Sequence, residues 1–377
     1  MFDFDALPVV DNHTHPYLVS PVPRDRRYAA LDTFLGTPGD GDEALEHRNA
    51  MLYQRLATRM LARFLGCEPT PQAVAEVRAK ERDERAYVER LFADARIEAL
   101  VVDTGYPQPA IPLDAFRART PVPVWPIFRI EPVIASLLNA RLPFEDWVHR
   151  FDGRLRRAVQ EEGYVGFKSI IAYRTGLEID LAHRGANAGQ RAFDAALAEP
   201  DRLSASKPLR DFLLLRTLEL AIELGVPVQI HTGFGDIDIL LKHCNPAGLA
   251  DALKDEVYRA AKVVLVHCYP FVAEASYLAA ALPNVWCDLS LGVPFAPAAA
   301  DRIYATAFEL APVNRILTGS DAFSGPEQSW LGAKIAKAAL GRVLTDFEAR
   351  GLVDEVEAYQ IAADVLAGNA RALYGTG

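Results

Sequence analysis

The chain has 377 residues, which at about 150 residues per domain allows one large domain or two to three small ones. Half of the residues are hydrophobic, so a large core can form and wholesale disorder is excluded. Lys and Arg total 40 against 50 Asp and Glu, a formal charge of −10 that argues against a nucleic-acid partner.

The N-terminus, MFDFDALPVV, is acidic and has no basic run ahead of an apolar stretch, so no secretory signal is expected. No run of about 18 apolar residues is free of Pro or charge, so no membrane span is expected either. Cys67, Cys244, Cys268 and Cys287 show no C-x-x-C spacing, which indicates neither a zinc ribbon nor a disulfide framework. A cytoplasmic protein is the resulting expectation. There is no phosphate-binding glycine loop, no dinucleotide fingerprint, no G-x-S-x-G and no H-E-x-x-H.

One pattern recurs along the chain: a short β-branched apolar run, polar residues, then a helical stretch. The predicted strands are Leu7–Asp11, Ala99–Asp103, Val122–Ile127, Val165–Ser169, Val226–Ile230, Val263–Val266, Val285–Leu289 and Arg315–Thr318. Several are continuously apolar, as strands buried on both faces of a parallel sheet are. Between strands 1 and 2, the segment 16–96 is predicted to hold two helices, Asp42–Leu65 and Pro71–Ala95, as a cap beside the site. Thr70-Pro71 is the start signal of the second. A helix is predicted over Glu145–Glu162, ending at Gly163. The stretch Thr175–Ala205, with Gly185, Gly189 and Pro200, reads as a partly mobile loop over the barrel mouth. A further helix reads from Pro208, suited to a first helical position, to a cap at Gly225. Eight strands alternating with helices predict an α/β fold, a (β/α)8 TIM barrel with a helical insertion after strand 1, as one domain over 1–377.

Chemistry-bearing residues collect at the C-terminal ends of these strands, where barrel active sites are built. Strand 1 ends VVDNHTH, and His13 and His15, two apart on an extended strand, point to one side. Imidazoles at this spacing suit a divalent metal, although such a pair also occurs as an ordinary surface or cap contact. His231 follows PVQI, His267 follows VVLV, Lys168 sits in GFKSI and Asp321 follows ILTGS. The other four histidines, His47, His149, His183 and His243, fall in helical or loop context and read as solvent-facing. Arg129 and Glu131 at the end of strand 3, with Tyr173 and Arg174 after Lys168, are candidate substrate contacts. An arginine fork would hold an acidic group, and a structural ion pair between strands is the other reading of Arg129. Asp288 reads as a partner supporting a ligand histidine. Cys268, adjacent to His267, should point behind the barrel.

The order His13-x-His15, Lys168, His231, His267, Asp321 resembles the amidohydrolase superfamily of metal-dependent hydrolases. The terminal IAADVLAGNARALYG resembles the closing helix of the amidohydrolase-related branch, which also contains decarboxylases. Phe212–Ala322 is similar to the amidohydrolase-like domain fused to glutamine synthetase in some plant and fungal proteins. The resemblance implies that His13, His15 and Asp321 hold a divalent metal, Zn first, with Mn or Fe as alternatives. It implies that His231 and His267 serve a second ion, or serve the first as ligand and acid–base group. As a carbamate, Lys168 would bridge two ions; as an ammonium it could not ligate and would repel the second. Asp321 could instead cap a following helix. In the catalytic reading it takes the proton of a metal-activated water, with His267 as the second acid–base candidate. Hydrolysis of an amide, lactone or ester bond in a small acidic substrate follows. A metal-dependent decarboxylase with Lys168 unmodified, and a catalytically retired barrel used for binding, are the alternatives. The expected partner is a small molecule, with neither nucleic acid nor membrane involved, and a homo-oligomer is compatible with the sequence.

Overall fold

A computed structural model describes residues 1–17, 42–140, 142–199 and 203–375. Eight strands pair in sequence order, all parallel: β1 Val9–Thr14, β2 Ile97–Asp103, β3 Val124–Arg129, β4 Gly166–Ser169, β5 Val228–His231, β6 Val263–Val266, β7 Val285–Asp288 and β8 Ile316–Leu317. Each predicted apolar run contributes a strand. The seam between β8 and β1 is closed by backbone bonds, from Asn12 N to Thr318 O at 3.0 Å and from Asp321 N to His13 O at 2.7 Å. The sequence forms a TIM barrel.

Strand periodicity sorts the residues into layers. On β6, Val263 and Leu265 face the surrounding helices, while Val264 and Val266 face inward with Val10, Val101, Trp286 and Leu317. Tyr374 and Leu373 of the C-terminal helix Asn369–Tyr374 close this inner cluster from below. The same alternation turns Lys168, Gln229 and His231 inward, above that apolar layer. Cys268 is buried on the outer side against Cys287, with the two Sγ atoms 3.6 Å apart, as expected.

The cap region departs from its predicted boundaries. Residues 18–41 lie outside the described residues. The first cap helix is two, Asp42–Ala50 and Leu52–Leu65, broken where Met51 is extended at φ −67° and ψ 139°. The second is also two, Pro71–Arg78 and Glu84–Ala95. Thr70 caps the first of these as expected, accepting from Ala73 N at 3.2 Å. Asp83 restarts the second by accepting from Ala86 N at 3.0 Å. Buried Arg78 ties the break to the barrel through Glu327 at 2.7 Å and also pairs with Glu84.

Two further expectations need correction. The stretch after Thr175 is not a bare loop: it holds a short 3-10 turn at Leu181–His183 and a helix at Ala186–Ala198. That helix is amphipathic, and its small face packs on aromatic rings. A Cβ on Gly189 would sit 2.7 Å from Phe212 and 2.8 Å from Phe144. Residues 200–202 of this stretch lie outside the described residues. Pro208 does not open its helix, which runs Leu203–Leu224 with the proline inside. The first four N–H groups of a helix have no intrahelical partner, so a proline this near the start forfeits a single bond. Gly225 at φ +72° ends the helix as predicted.

Trp147 of the helix Phe144–Gln160 is fully buried, stacked on Phe151 and tilted against Phe193. Trp147→Ala is expected to cost about 3–5 kcal/mol of unfolding free energy, read as a lower denaturant midpoint with unchanged slope. No helix among the described residues is long and apolar enough to cross a membrane.

Candidate metal centre and reaction cavity

The inward residues at the strand ends converge. The rings of His13 and His15 are 5.2 Å apart, His13 and His267 5.2 Å, and His231 and His267 4.5 Å. With Lys168 and Asp321 they line one cavity of about 170 Å³. His13, His15, Lys168, His231, His267 and Asp321 are all at most 5% exposed. His47, His149 and His243 are exposed and His183 is partly so, in line with their reading as solvent-facing.

Hydrogen bonds behind the rings fix which nitrogen faces the cavity. Gln229 Nε2 donates to Asn12 O at 3.0 Å and to Tyr374 Oη at 2.8 Å. That orients its Oε1 to accept from His13 Nδ1 at 2.6 Å. His15 Nδ1 faces the Asp103 carbonyl at 3.2 Å, which can only accept. Ser290 Oγ donates to Asp288 and therefore accepts from His267 Nδ1 at 2.9 Å. Each imidazole thus carries its proton on Nδ1 and turns a bare Nε2 lone pair inward. Burial holds His13, His231 and His267 well below the usual histidine range, reinforced for each by Lys168 and neighbouring rings. They are neutral imidazoles, the form that binds metals.

Asp321 completes the cluster. Its Oδ1 stands 3.3 Å from His13 Nε2 and 3.2 Å from His15 Nε2. Three electron-pair donors face each other with no hydrogen between them, and Asp321 Oδ1 and His231 Nε2 are buried without a hydrogen-bond partner. Such a set is unfavourable unless a cation lies among it, so these residues fit a divalent metal. A ligand atom of His267 lies within 4.8 Å of those of His13 and Asp321. Asp103 also lies within reach of His13 and His15, but its carboxylate is committed to Arg129. Burial alone would raise the Asp103 pKa, and the Arg129 pair outweighs it and holds it low.

The backbone is bent to present these groups. His267 and Asp321 both sit in the left-handed region, at φ +79° and +55°, which is costly for non-glycine residues and concentrates at functional sites. Asp321 caps no helix: the next one starts at Pro326, preceded by Gly325. Gly235 is required by close approach, since a Cβ there would lie 1.8 Å from Tyr173 Oη.

The remaining sequence-predicted residues fall as follows. Lys168 Nζ is 3.4 Å from His13 Nε2, and burial lowers its pKa to about 8. Arg129 lines the cavity, but Nε and Nη2 are engaged by Asp103 across neighbouring strands, the ion-pair reading. Arg174 lines the cavity rim without such a partner among the described residues, and Tyr173 Oη accepts from Asp236 N at 3.2 Å. Glu131 lies outside the cavity, where it accepts from Ser169 Oγ at 2.8 Å and Ile170 N at 2.7 Å, anchoring the strand that carries Lys168. Asp288 supports His267 through Ser290, as expected of it. Burial raises Asp288 to about 6.

Sequence reading missed Gln229, Ser290, Asp103 and Tyr106. Gln229 was in principle legible, two residues before His231 on the same inward face. Tyr106 packs edge-on to His15 at 5.3 Å, beyond the last apolar residue of its strand. Gln229→Leu keeps the bulk and removes the bond that orients His13. It is expected to weaken metal affinity about 10–100-fold, measured by competition with a chelator.

The amidohydrolase family model matches residues 10–376. Among curated proteins, Protein fluG of Emericella nidulans is 34% identical over 243 residues, which is 61% of this chain and 28% of that protein. The chain thus spans less than a third of that relative's length. A solved structure from Lactobacillus casei, provisionally described as a metal-dependent hydrolase, is 31% identical with a TM-score of 0.84, covering 100% of this chain and 98% of its own. A uronate isomerase from Bacillus halodurans has a TM-score of 0.65 at 15% identity over 99% of this chain and 94% of its own, a likeness of fold alone. The chain belongs to the amidohydrolase family.

Proposed function

We propose that this protein is a metal-dependent hydrolase that cleaves an amide, lactone or ester bond in a small acidic substrate. The observation that carries the reading is the buried meeting of three acceptors, with Asp321 Oδ1 unpartnered and standing 3.3 Å from His13 Nε2 and 3.2 Å from His15 Nε2. His13, His15 and Asp321 would hold the ion, with His231 and His267 completing the set or serving a second ion. Zn suits these ligands best, and Mn and Fe share the preference. When bound, the ion supplies Lewis-acid polarisation of the substrate carbonyl and a water acidified toward neutral pH.

The chain's own residues do the rest. Asp321 directs Oδ1 to the histidines, which leaves Oδ2 to take up a proton and return it to the leaving group. His267, held through Ser290 by Asp288, has its Nε2 lone pair facing the cavity as a second proton acceptor. Arg174 and Arg129 give the cavity a cationic wall that favours an acidic substrate, and Tyr173 offers a hydroxyl beside His231. Lys168 is buried and its pKa is depressed, which supports carbamylation, since that chemistry needs a neutral amine. In this reading the chain is a single barrel domain with 16–96 as its cap, works in the cytoplasm on a small molecule, and needs neither nucleic acid nor membrane.

The test is metal analysis of the purified protein combined with a panel of acidic amides, lactones and esters. Hydrolysis by protein carrying stoichiometric metal is the expected result, and a carboxyl group beyond Lys168 Nζ should accompany two ions. Release of carbon dioxide without hydrolysis would replace this reading with the decarboxylase. Absence of both metal and turnover would leave a retired barrel.

A further inference from the structure

The described barrel holds a second cavity besides the reaction cavity. It has a volume of about 710 Å³ and lies outside β3, between the segment after β2 and the helices Glu131–Leu138 and Phe144–Gln160. Four arginines line it, Arg129, Arg150, Arg154 and Arg157, and no carboxylate does. On a chain with a formal charge of −10 this is a local reversal of sign. Arg150, Arg154 and Arg157 lie three and four residues apart on one helix and so share a face.

These cations are not used up by the fold. Arg150 and Arg157 form no side-chain ion pair among the described residues. Arg154 gives Nη2 to Glu162 at 3.0 Å, but its Nη1 is buried with no hydrogen-bond partner. Its guanidinium lies 4.3 Å over the Phe128 ring, which fixes its plane toward the cavity. Arg129 forms the wall shared with the reaction cavity and is already paired with Asp103. The floor between the cations is apolar, built from Phe128, Val133, Leu137 and the ring of Tyr164.

An apolar floor, a few convergent donors and a volume in the range of about 300–1,000 Å³ describe a small-molecule site. Guanidinium forks match carboxylate and phosphate oxygens two at a time. We propose that this outer cavity is a second binding site, separate from the metal centre, for an organic oxyanion: a carboxylate or phosphate carried on an apolar body. The anion sits between Arg150 and Arg157, Arg154 adds its charge from the wall, and the body lies on Phe128 and Leu137.

The test is calorimetric titration of the metal-loaded full chain with phenyl phosphate, benzoate and inorganic phosphate. The two aromatic probes separate phosphate from carboxylate recognition, and inorganic phosphate reports what the apolar floor adds. At least one aromatic probe is expected to bind, at least tenfold more tightly than inorganic phosphate. The double variant Arg150→Gln/Arg157→Gln, both on an exposed helix face, is expected to weaken that probe at least tenfold. Arg174→Gln, at the reaction cavity, should leave it within twofold. Loss of binding in Arg174→Gln but not in the double variant would place the anion in the reaction cavity and overturn the proposal. Binding to neither aromatic probe would overturn it as well, including where a second copy of the chain fills the cavity; sedimentation of the same samples identifies that case.

Discussion

His13→Ala/His15→Ala is expected to lose bound metal and activity together. Both Nε2 atoms approach the same oxygen, Asp321 Oδ1, so deleting both imidazoles strips that carboxylate of the two nitrogen donors it faces. The fold should survive. The rings sit above the apolar layer of Val10, Val264 and Val266, and the interstrand ladder of β1 is backbone. Loss should therefore appear in metal content and turnover while the far-ultraviolet spectrum and denaturant slope stay unchanged. Full metal retention in that variant would refute the ligand assignment. Metal retained without activity would shift the ion to His231 and His267 and leave His13 and His15 as substrate contacts.

Asp321→Asn separates ligand from proton carrier. Asparagine keeps the shape and one oxygen toward the histidines, but it cannot take up a proton at the second position. A fall in kcat of roughly 10²–10⁴-fold is expected, the scale for removing a general base, with a much smaller change in KM. Metal content must be measured on the same sample, because lost metal mimics lost base chemistry. A variant that keeps its metal and turns over near the wild-type rate would make Asp321 a ligand only. The proton would then be carried by His267, whose Ser290–Asp288 support suits that role.

The barrel and the residues that meet in its cavity were legible in the sequence for one physical reason. Strands buried on both faces must be almost wholly apolar, so a His, Lys or Asp at such a run's C-terminal end stands out. His231 after PVQI and His267 after VVLV are examples. The residues that orient the ligands were not legible, because their contacts are distant in sequence. Gln229 meets His13 across 216 positions, and Asp103 meets His15 across 88. Arg129 shows the same limit: its spacing allowed a substrate contact or an ion pair, and only the neighbouring strand shows that Asp103 engages it. Helix boundaries failed where side chains outside the helix decided them. Asp83 restarts a helix by capping Ala86, and the helix Ala186–Ala198 follows a glycine that reads as loop. The outer arginine cavity was invisible, since Arg150, Arg154 and Arg157 look like any solvated helix face until Phe128 and Leu137 are seen beneath them.

His13, His15 and Asp321 are proposed to form a metal centre. Anomalous diffraction from crystals of the metal-loaded protein, recorded on both sides of the metal's absorption edge, tests it most directly. An anomalous peak is expected about 2.0–2.1 Å from the Nε2 atoms of His13 and His15 and about 2.0–2.2 Å from an oxygen of Asp321. A peak held by other residues, or a fully active crystal with no peak in this cavity, would contradict it.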